Sequence, residues 1–415
     1  MSKYLNVKYY IETPESVKKT SDLIAKMQST GTWAGVKQET KKLVKKFGAK
    51  VKDIRILKQT KKIHLPTRAK NKNKINCAEI IISYPWENFG KNIAMLISTV
   101  AGEIYDLSEL TAIKVIDILF PYDYLKLFKG PKFGLSGSRD TVKAYNRPLF
   151  GAITKPCVGL SAKEIAKLAY EVSFAGIDFI KDDELLADAS YNSITDRTRE
   201  VSKALKSVYE KTGKITMYAF NITDNPDKVL KLHDIAVKNG ARAIMFNVLT
   251  GGFNTLNMLA EHTKVPIHCH RDFAVSTFRS PYIGITSYVF TKLTRLAGGD
   301  QIQCGGISGY LYEEDEEVLK SFDACLENFG NIKQSLPVSS GGMWAGKLPV
   351  NLRKIKHNDF LFLSGGGVFG HPAGGFGGVK SILSAYEAIK NGKKLEESNC
   401  PYLKKAIQKF GKVEY

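Results

Sequence analysis

Residues 151–184, GAITKPCVGLSAKEIAKLAYEVSFAGIDFIKDDE, decide the fold. The apolar runs Gly151–Lys155 and Ile177–Lys181 predict two β-strands, and the amphipathic stretch Ala162–Phe174 between them predicts a helix. A helical crossover joins strands that run in the same direction, because a tight turn can connect only antiparallel strands. This unit therefore predicts the start of a parallel sheet.

The same alternation repeats along the rest of the chain. Eight strand–helix pairs in residues 151–390 predict a closed (β/α)₈ barrel, rather than an open doubly wound sheet. The further predicted strands are Ile215–Asn221, Ala243–Asn247, Pro266–His270, Gln301–Cys304, Pro337–Ser340 and Phe360–Ser364. The further predicted helices are Asp196–Lys211, Pro226–Lys238, Asn254–His262, Tyr282–Leu296, Glu314–Phe329, Leu348–Lys356 and Val379–Lys390.

Residues 1–135 mix strand and helix signals without this regular repeat. We expect an α+β, ferredoxin-like N-terminal domain with an antiparallel sheet over 1–135, and the barrel domain over 136–415. The segments that carry this expectation are the strand-like Tyr4–Ile11, Val51–Leu57 and Ala78–Tyr84, the helical stretch from Pro14 to Met27 and the helical run Leu96–Gly102.

Composition excludes several classes of protein. Hydrophobic residues are 43% and charged residues 25%, as in ordinary globular domains. No apolar run is long enough to span a membrane, the N-terminus lacks a secretory apolar segment, and the six cysteines show no regular spacing, so we expect a cytoplasmic protein with reduced thiols.

The net charge is +20, and basic residues crowd in residues 41–74. Aromatic residues barely interleave there, which argues against nucleic-acid binding. The charge therefore favours a solvated basic surface that attracts phosphorylated metabolites.

Ionisable residues concentrate at the carboxyl ends of the predicted barrel strands, where barrel enzymes have their active sites. The sharpest cluster is Lys181-Asp182-Asp183-Glu184 after the second strand. Its carboxylates are hard ligands suited to Mg²⁺, and a neutral lysine there can react with CO₂ to give a carbamate, a further oxygen ligand. The alternative is an acidic helix N-terminus that only complements the helix dipole.

Two glycine-rich turns follow the seventh and eighth strands, at Ser340-Gly341-Gly342 and Gly365-Gly366-Gly367. Their bare backbone N–H groups favour a phosphate site, although glycines also serve simply to make tight turns. His270 and Arg271 follow the fifth strand. The histidine is suited to transfer protons or to lie beside a metal, and the arginine is suited to bind an anion. The alternative is a structural role, which is more common for a lone histidine.

The sequence resembles the ribulose-bisphosphate carboxylase (RuBisCO) large-subunit family. The resemblance is carried by several motifs in the family's order: Ser29-Thr-Gly-Thr-Trp33, Asn146-Arg-Pro-Leu149, Ile153-Thr-Lys-Pro156 with Gly159-Leu-Ser161, Gly176-Ile-Asp-Phe-Ile-Lys-Asp-Asp-Glu184, His268-Cys-His-Arg271, Ser340-Gly-Gly342 and Gly365-Gly-Gly-Val-Phe-Gly-His-Pro372.

The resemblance implies a role for each matching residue. Lys181 would be a carbamylated lysine that binds Mg²⁺ together with Asp183 and Glu184, and Lys155 would lie near the substrate enediolate. His270 and Arg271 would sit at the substrate and its distal end. Thr32 would reach the site of a partner subunit, since the family's minimal unit is a homodimer with shared sites. The residues implied at a hydroxyl and the proximal phosphate are Ser340, Gly341, Gly342, Gly366 and Gly367.

The departures from the family pattern concern the groups that handle CO₂. The mobile-loop lysine of the true carboxylases is Tyr310 here, its glutamate partner is Met27, and the lysine two residues after the Lys155 equivalent is Cys157. A strand-6 histidine becomes Gln303, and an N-terminal-domain asparagine becomes Glu103, a second candidate base beside the Lys181 carbamate. This profile resembles the RuBisCO-like proteins, which do not fix CO₂.

We therefore expect a Mg²⁺-dependent lyase or isomerase that enolises a small phosphorylated keto-sugar or 3-oxo sugar-acid. The outcome after enolisation would be decarboxylation, transcarboxylation with hydrolysis, or isomerisation. Two alternatives remain: a 2,3-diketo-5-methylthiopentyl-1-phosphate enolase of methionine salvage, and a non-catalytic protein that binds a phosphorylated metabolite. Retention of His270 and Arg271 and the lack of a lysine at position 103 favour the sugar-acid phosphate over the enolase.

Overall fold

The computed structural model describes residues 3–69 and 73–415, so part of the basic stretch 41–74 lies outside the described residues. Thirteen strands occur in these ranges. They are β1 (Tyr4–Thr13), β2 (Lys50–Ile56), β3 (Asn76–Pro85), β4 (Ala112–Leu119), β5 (Leu149–Ile153), β6 (Phe179–Lys181), β7 (Met217–Asn221), β8 (Ala243–Asn247), β9 (Ile267–His270), β10 (Ile283–Ile285), β11 (Gln301–Gly305), β12 (Leu336–Ser340) and β13 (Leu361–Ser364).

The α-helices of the described ranges lie mostly between the strands. They are α1 (Val17–Met27), α2 (Lys41–Phe47), α3 (Ile93–Ala101), α4 (Tyr122–Leu125), α5 (Gly134–Val142), α6 (Ala162–Phe174), α7 (Ile194–Thr212), α8 (Pro226–Lys238), α9 (Val248–Gly251), α10 (Phe253–His262), α11 (Val275–Phe278), α12 (Ser287–Ala297), α13 (Asp315–Leu326), α14 (Leu348–Ile355), α15 (Gly366–Phe369), α16 (Gly374–Lys390) and α17 (Pro401–Phe410). None of them is both long and apolar enough to cross a bilayer.

The barrel closes in the order β11-β12-β13-β5-β6-β7-β8-β9, and every neighbouring pair is parallel. The predicted (β/α)₈ architecture is therefore confirmed. Its interior is filled by side chains that point inward from alternate strand positions, so the barrel is a packed core rather than a pore. These include Leu149, Phe179, Met217, Ala219, Ala243, Met245, Leu336, Val338, Leu361 and Leu363.

A second sheet has the strand order β10-β4-β1-β3-β2. All its pairs are antiparallel except that of β10 with β4, so the predicted antiparallel sheet is confirmed, with one parallel edge strand added. Alternate residues of β1, from Leu5 to Ile11, are fully buried, as expected for a sheet with one face on a core.

The prediction of a continuous helix over Tyr282–Leu296 is wrong. Residues Ile283–Ile285 form β10, and the helix begins only at Ser287. The backbone N–H of Ile113 in β4 donates to the carbonyl of Tyr282, so sheet pairing outweighs the local helical pattern.

The chain divides into two compact units that are not continuous in sequence. One comprises the chain up to Lys129 together with Phe273–Leu296 and Phe329–Ile332, and contains the five-stranded sheet. The other comprises Gly130–Asp272, Ala297–Asn328 and Lys333–Tyr415, and contains the barrel.

A buried ion pair fixes the turn after β6, from which the candidate metal ligands project. Arg197, on α7, donates from Nε to Asp182 Oδ2 at 3.0 Å, and both side chains are fully buried. The same carboxylate accepts from the Tyr218 hydroxyl at 2.6 Å and from the backbone N–H of Asn221 at 2.9 Å. Asp182 therefore holds the turn, because both of its carboxylate oxygens accept hydrogen bonds.

Replacing Arg197 by methionine is expected to destabilise the protein by about 3–5 kcal/mol, because Asp182 would remain as an uncompensated buried charge. Urea unfolding followed by circular dichroism measures this change. The matched control is Arg199→Met on the same helix. Arg199 pairs with Asp196 at the surface, so this substitution should change stability by no more than about 0.5 kcal/mol. Equal effects of the two substitutions would contradict the structural role of the pair.

Candidate functional site

Two lysine–carboxylate pairs lie side by side at the carboxyl ends of β5 and β6. Lys155 Nζ is 2.6 Å from Asp183 Oδ2, and Lys181 Nζ is 3.0 Å from Glu184 Oε2. Lys181 is completely buried and also donates to the carbonyl of Asp182 at 2.9 Å. The structure thus brings together the four residues that the sequence singled out at these two strands.

The electrostatic environment favours the charged forms of Glu184 and Lys155. Burial raises the pKa of Glu184, but the positive charge of Lys181 and the neighbouring His270 outweigh it and bring this pKa down to about 2. Partial burial opposes protonation of Lys155, yet its hydrogen bonds to Asp183 and Cys157 leave its pKa raised. The site is therefore a compact arrangement of alternating positive and negative groups.

His270, at the end of β9, completes this cluster. Its Nε2 lies 3.5 Å from Glu184 Oε2, and its Nδ1 accepts from the backbone N–H of Asp272 at 3.0 Å. Since Nδ1 is the acceptor, Nε2 carries the hydrogen and faces the cluster. Burial, aided by the charge of Lys181, sets the pKa of His270 well below its usual range, so the ring is neutral.

His268, two residues earlier on β9, lies deeper in the barrel among glutamines. Its Nδ1 is 3.2 Å from Gln301 Oε1, and its Nε2 is 3.4 Å from the amide nitrogen of Gln303. Burial brings its pKa down to about 3, which matches a neutral ring that donates to one glutamine and accepts from the other. Gln303, which replaces the strand-6 histidine of the family pattern, is 6% exposed and bonded to this ring.

The Arg271 guanidinium, expected to bind an anion, is already paired with a carboxylate of this chain. Its guanidinium forms a two-pronged ion pair with Glu313, with Nη1 2.8 Å from Oε1 and Nη2 in direct contact with Oε2. Both side chains are buried, so the pair ties the segment after β11 to the end of β9. Sequence analysis did not single out Glu313, which lies 42 residues from its partner.

The glycine-rich turns after β12 and β13 also lie at this end of the barrel. Gly341 and Gly342 have φ angles of +119° and +79°, which side chains other than glycine rarely tolerate, and a Cβ on Gly366 would meet open space. The Ser340 hydroxyl makes no hydrogen bond within the described ranges. A Cβ on Gly365 would lie 3.2 Å from Lys155 Cε, so the β13 turn runs directly beside the first lysine–carboxylate pair.

The residues present fit a divalent cation. Asp183 and Glu184 supply carboxylate oxygens, and Lys181 lies against Glu184 at 3.0 Å. Asn247, at the end of β8, donates from Nδ2 to the Glu184 carbonyl at 3.1 Å, while its buried Oδ1 has no hydrogen-bond partner within residues 3–69 and 73–415. Because a buried acceptor is costly when unpaired, this oxygen calls for a ligand, a water molecule or a substrate hydroxyl. Sequence analysis named Asn247 only as a strand end.

The remaining predicted site residues, Thr32 and Glu103, belong to the compact unit that contains the five-stranded sheet. Thr32 is half-buried in the segment before α2, and Glu103 is exposed at the first residue of a 3-10 turn. The burial that would prepare Glu103 as a base is therefore absent within the chain. Their contribution to the site of a partner subunit stays a prediction.

Comparisons with known proteins agree with this architecture. Residues 134–410 match the family model of the ribulose bisphosphate carboxylase large chain catalytic domain, and residues 4–124 match that of its N-terminal domain. A ribulose bisphosphate carboxylase-like protein from Chlorobaculum tepidum is 38% identical over 398 residues, covering 95% of this chain and 91% of the relative.

Two further relatives are informative. A 3-oxo-isoapionate-4-phosphate decarboxylase from Rhizobium rhizogenes is 33% identical over 387 residues, covering 92% of each chain. The crystal structure of a rubisco-like protein from Burkholderia fungorum superposes with a TM-score of 0.91 at 31% identity, covering 98% of this chain and 100% of that one. The chain therefore belongs to the ribulose bisphosphate carboxylase large-chain family, and its relatives include RuBisCO-like proteins.

Proposed function

We propose that the protein is a Mg²⁺-dependent enzyme that enolises a small phosphorylated keto-sugar or 3-oxo sugar-acid. The observation that carries the proposal is the convergence of Lys155, Lys181, Asp183, Glu184 and His270 at the carboxyl ends of β5, β6 and β9. A purely structural ion-pair network has no need of a neutral histidine, an unpaired amide oxygen and glycine-rich turns at the same end of the barrel.

Asp183 and Glu184 would hold the ion, with Lys181 as the third ligand once its amine has reacted with CO₂. While Lys181 is an unmodified amine, the positive charges of Lys155 and Lys181 balance the negative charges of Asp183 and Glu184. Formation of the carbamate removes one positive charge and adds one negative charge, so the cluster acquires a net charge of −2. A divalent cation restores neutrality in this buried place, which links carbamate formation to metal binding.

When bound, Mg²⁺ would act as a Lewis acid that stabilises negative charge on a carbonyl oxygen. The chain's own residues would supply the rest. Lys155, charged and located between Asp183 and the β13 turn, would donate to the substrate oxygen that becomes negative. His270 would donate from Nε2–H, since its Nδ1 is already engaged as an acceptor. The Lys181 carbamate is the candidate base, because Glu103 is exposed within the chain.

The phosphate of the substrate would lie at the turns after β12 and β13. Ser340 offers an unengaged hydroxyl, and the backbone N–H groups of Gly341 and Gly342 follow it in a turn with positive φ angles. The open space at Gly366 leaves room for an anion beside Lys155. The net charge of +20 adds a long-range attraction for such a substrate.

Decarboxylation is the outcome we favour, because the Rhizobium rhizogenes relative is a 3-oxo-isoapionate-4-phosphate decarboxylase. In a 3-oxo acid, the bond from the carboxylate carbon to the adjacent carbon breaks, and its electron pair moves toward the ketone oxygen as CO₂ leaves. The carbon then takes up a proton. These steps need stabilisation of one oxygen anion and a proton donor, both of which the cluster offers, and no group that positions incoming CO₂.

The exchange of a substrate α-proton with solvent deuterium tests the enolisation step. With Mg²⁺ and bicarbonate present, we expect NMR to detect exchange in at least one member of a panel of phosphorylated keto-sugars and sugar acids. Lys181→Ala should reduce the rate by about 10²–10⁴-fold or more, because both the base and a metal ligand are lost. The control is Lys206→Ala, at an exposed position of α7, which should catalyse exchange at the wild-type rate. Exchange that persists in EDTA, or in Lys181→Ala, would refute the metal mechanism.

Release of CO₂ distinguishes the outcomes. We expect the protein to release one CO₂ per molecule of 3-oxo-isoapionate 4-phosphate, and to act much more slowly on 2,3-diketo-5-methylthiopentyl 1-phosphate, whose methylthio group would meet a polar, charged site. A coupled CO₂ assay and phosphorus NMR measure the two reactions. Turnover of the methylthio substrate alone would identify an enolase instead, and binding of both compounds without turnover would identify a non-catalytic binding protein.

A further inference from the structure

A second group of metal-ligating side chains lies away from the candidate active site. His233 and Asp234 are on α8, and His262 is the last residue of α10. The three ligand atoms lie within 4.8 Å of one another. Residues 263–266 then lead into the amino end of β9, whereas His270 lies at its carboxyl end. The two clusters therefore belong to opposite ends of the same strand.

One carboxylate oxygen joins the two imidazole rings. Asp234 Oδ1 is 2.9 Å from His233 Nδ1 and 2.7 Å from His262 Nε2. The His233 ring is fully buried, while the side chains of His262 and Asp234 are 34% and 56% exposed. The group is thus anchored on one side by a fixed ring and open to solvent on the other.

The contacts of His233 Nε2 allow two tautomers. The backbone N–H of Lys264 is 3.2 Å away and needs the Nε2 lone pair, which leaves the hydrogen on Nδ1, facing Asp234. Thr263 Oγ1 is also 3.2 Å away, and it donates its own hydrogen to the carbonyl of Val265 at 2.6 Å. Toward His233, Thr263 can therefore only accept, which requires the hydrogen on Nε2.

In this second tautomer the Nδ1 lone pair faces the carboxylate of Asp234. Two electron-rich atoms in contact repel each other unless a cation lies between them. Thr263 meanwhile provides the acceptor that commonly orients a metal-bound histidine through its other ring nitrogen. Binding of a cation through Nδ1 would place the hydrogen on Nε2, where Thr263 Oγ1 accepts it in exchange for the bond from the Lys264 N–H.

We propose that His233, Asp234 and His262 form a binding site for a borderline divalent cation such as Zn²⁺. His233 would bind through Nδ1, His262 through Nε2 and Asp234 through its carboxylate, with water at the exposed fourth position. Imidazole nitrogens favour Zn²⁺ over Mg²⁺, which prefers oxygen ligands. Tetrahedral ligands of zinc are about 3.3 Å apart, so the two contacts of Asp234 Oδ1, at 2.9 and 2.7 Å, have to lengthen by about 0.5 Å. The two histidine nitrogens already lie within 4.8 Å of each other.

The ion would connect α8, α10 and the segment that enters β9. Because the site is assembled only in the folded chain, the ion stabilises the fold by a free energy that grows with the logarithm of its concentration over its dissociation constant. The site does not depend on the proposed enzymatic function, since none of its ligands belongs to the Lys181–Glu184 cluster.

Zinc retention by the full-length protein tests the site. The protein is loaded with Zn²⁺ in millimolar Mg²⁺ and bicarbonate, so that the hard oxygen site holds magnesium, and is then passed through a desalting column. We expect the wild type to retain about one more zinc per chain than Asp234→Asn or His262→Asn, measured by mass spectrometry of the metal. Zinc should raise the Tm of the wild type by about 3 °C and leave that of the two variants unchanged.

The matched control is His357→Asn, which removes a half-buried histidine that precedes β13 and lies outside the cluster. It should retain zinc as the wild type does. Equal retention by the wild type, Asp234→Asn and His262→Asn would overturn the proposal, as would an equal loss in His357→Asn. Asp234 is more than half exposed and asparagine has its shape, so this variant decides the test even if His262→Asn fails to fold.

Discussion

The matching of charge at residues 181–184 is the constraint on which the rest of the barrel's functional end depends. Lys181 is completely buried, and an unpaired ammonium group there would cost several kcal/mol. Glu184 therefore has to approach it, and Asp183 is matched in turn by Lys155 from the neighbouring strand. Positions on β5, β6 and β9 are linked in this way through contacts between ionisable groups, so the cluster behaves as one electrostatic unit.

Adjacent residues of this segment have separate tasks. Asp182 turns toward Arg197 and Tyr218, where its carboxylate is saturated with hydrogen bonds. Asp183 turns toward Lys155, where its carboxylate remains available to a cation. A rigid anchor immediately beside a ligand holds that ligand in place, and precise placement is what a metal site and a reacting substrate both require. The buried pair thus serves function through position rather than through contact with substrate.

The sequence allowed the barrel to be predicted closely, because its signals are local. Helices α6 and α8 have the predicted bounds, and a capping box at Ser161 and a proline at position 226 mark their starts. Lys181 and Glu184 were recognisable from residue type and strand end. Arg197 and Glu313 were not, since their roles arise from partners 15 and 42 residues away. β10 was missed because its pairing partner β4 is still more remote, with Ile283 opposite Ile113.

The segment after β11 carries no lysine or arginine between Gly306 and Glu314. Tyr310, 80% exposed, stands where the resemblance places the lysine of the carboxylases, and the Arg271 guanidinium is already paired with Glu313. The segment therefore brings no free positive charge of its own toward a second, incoming substrate. Lys155 and Lys181 instead place positive charge within the candidate site itself. Under the proposed function, this arrangement would favour bond cleavage and proton transfer within one substrate over the capture of CO₂ as a co-substrate.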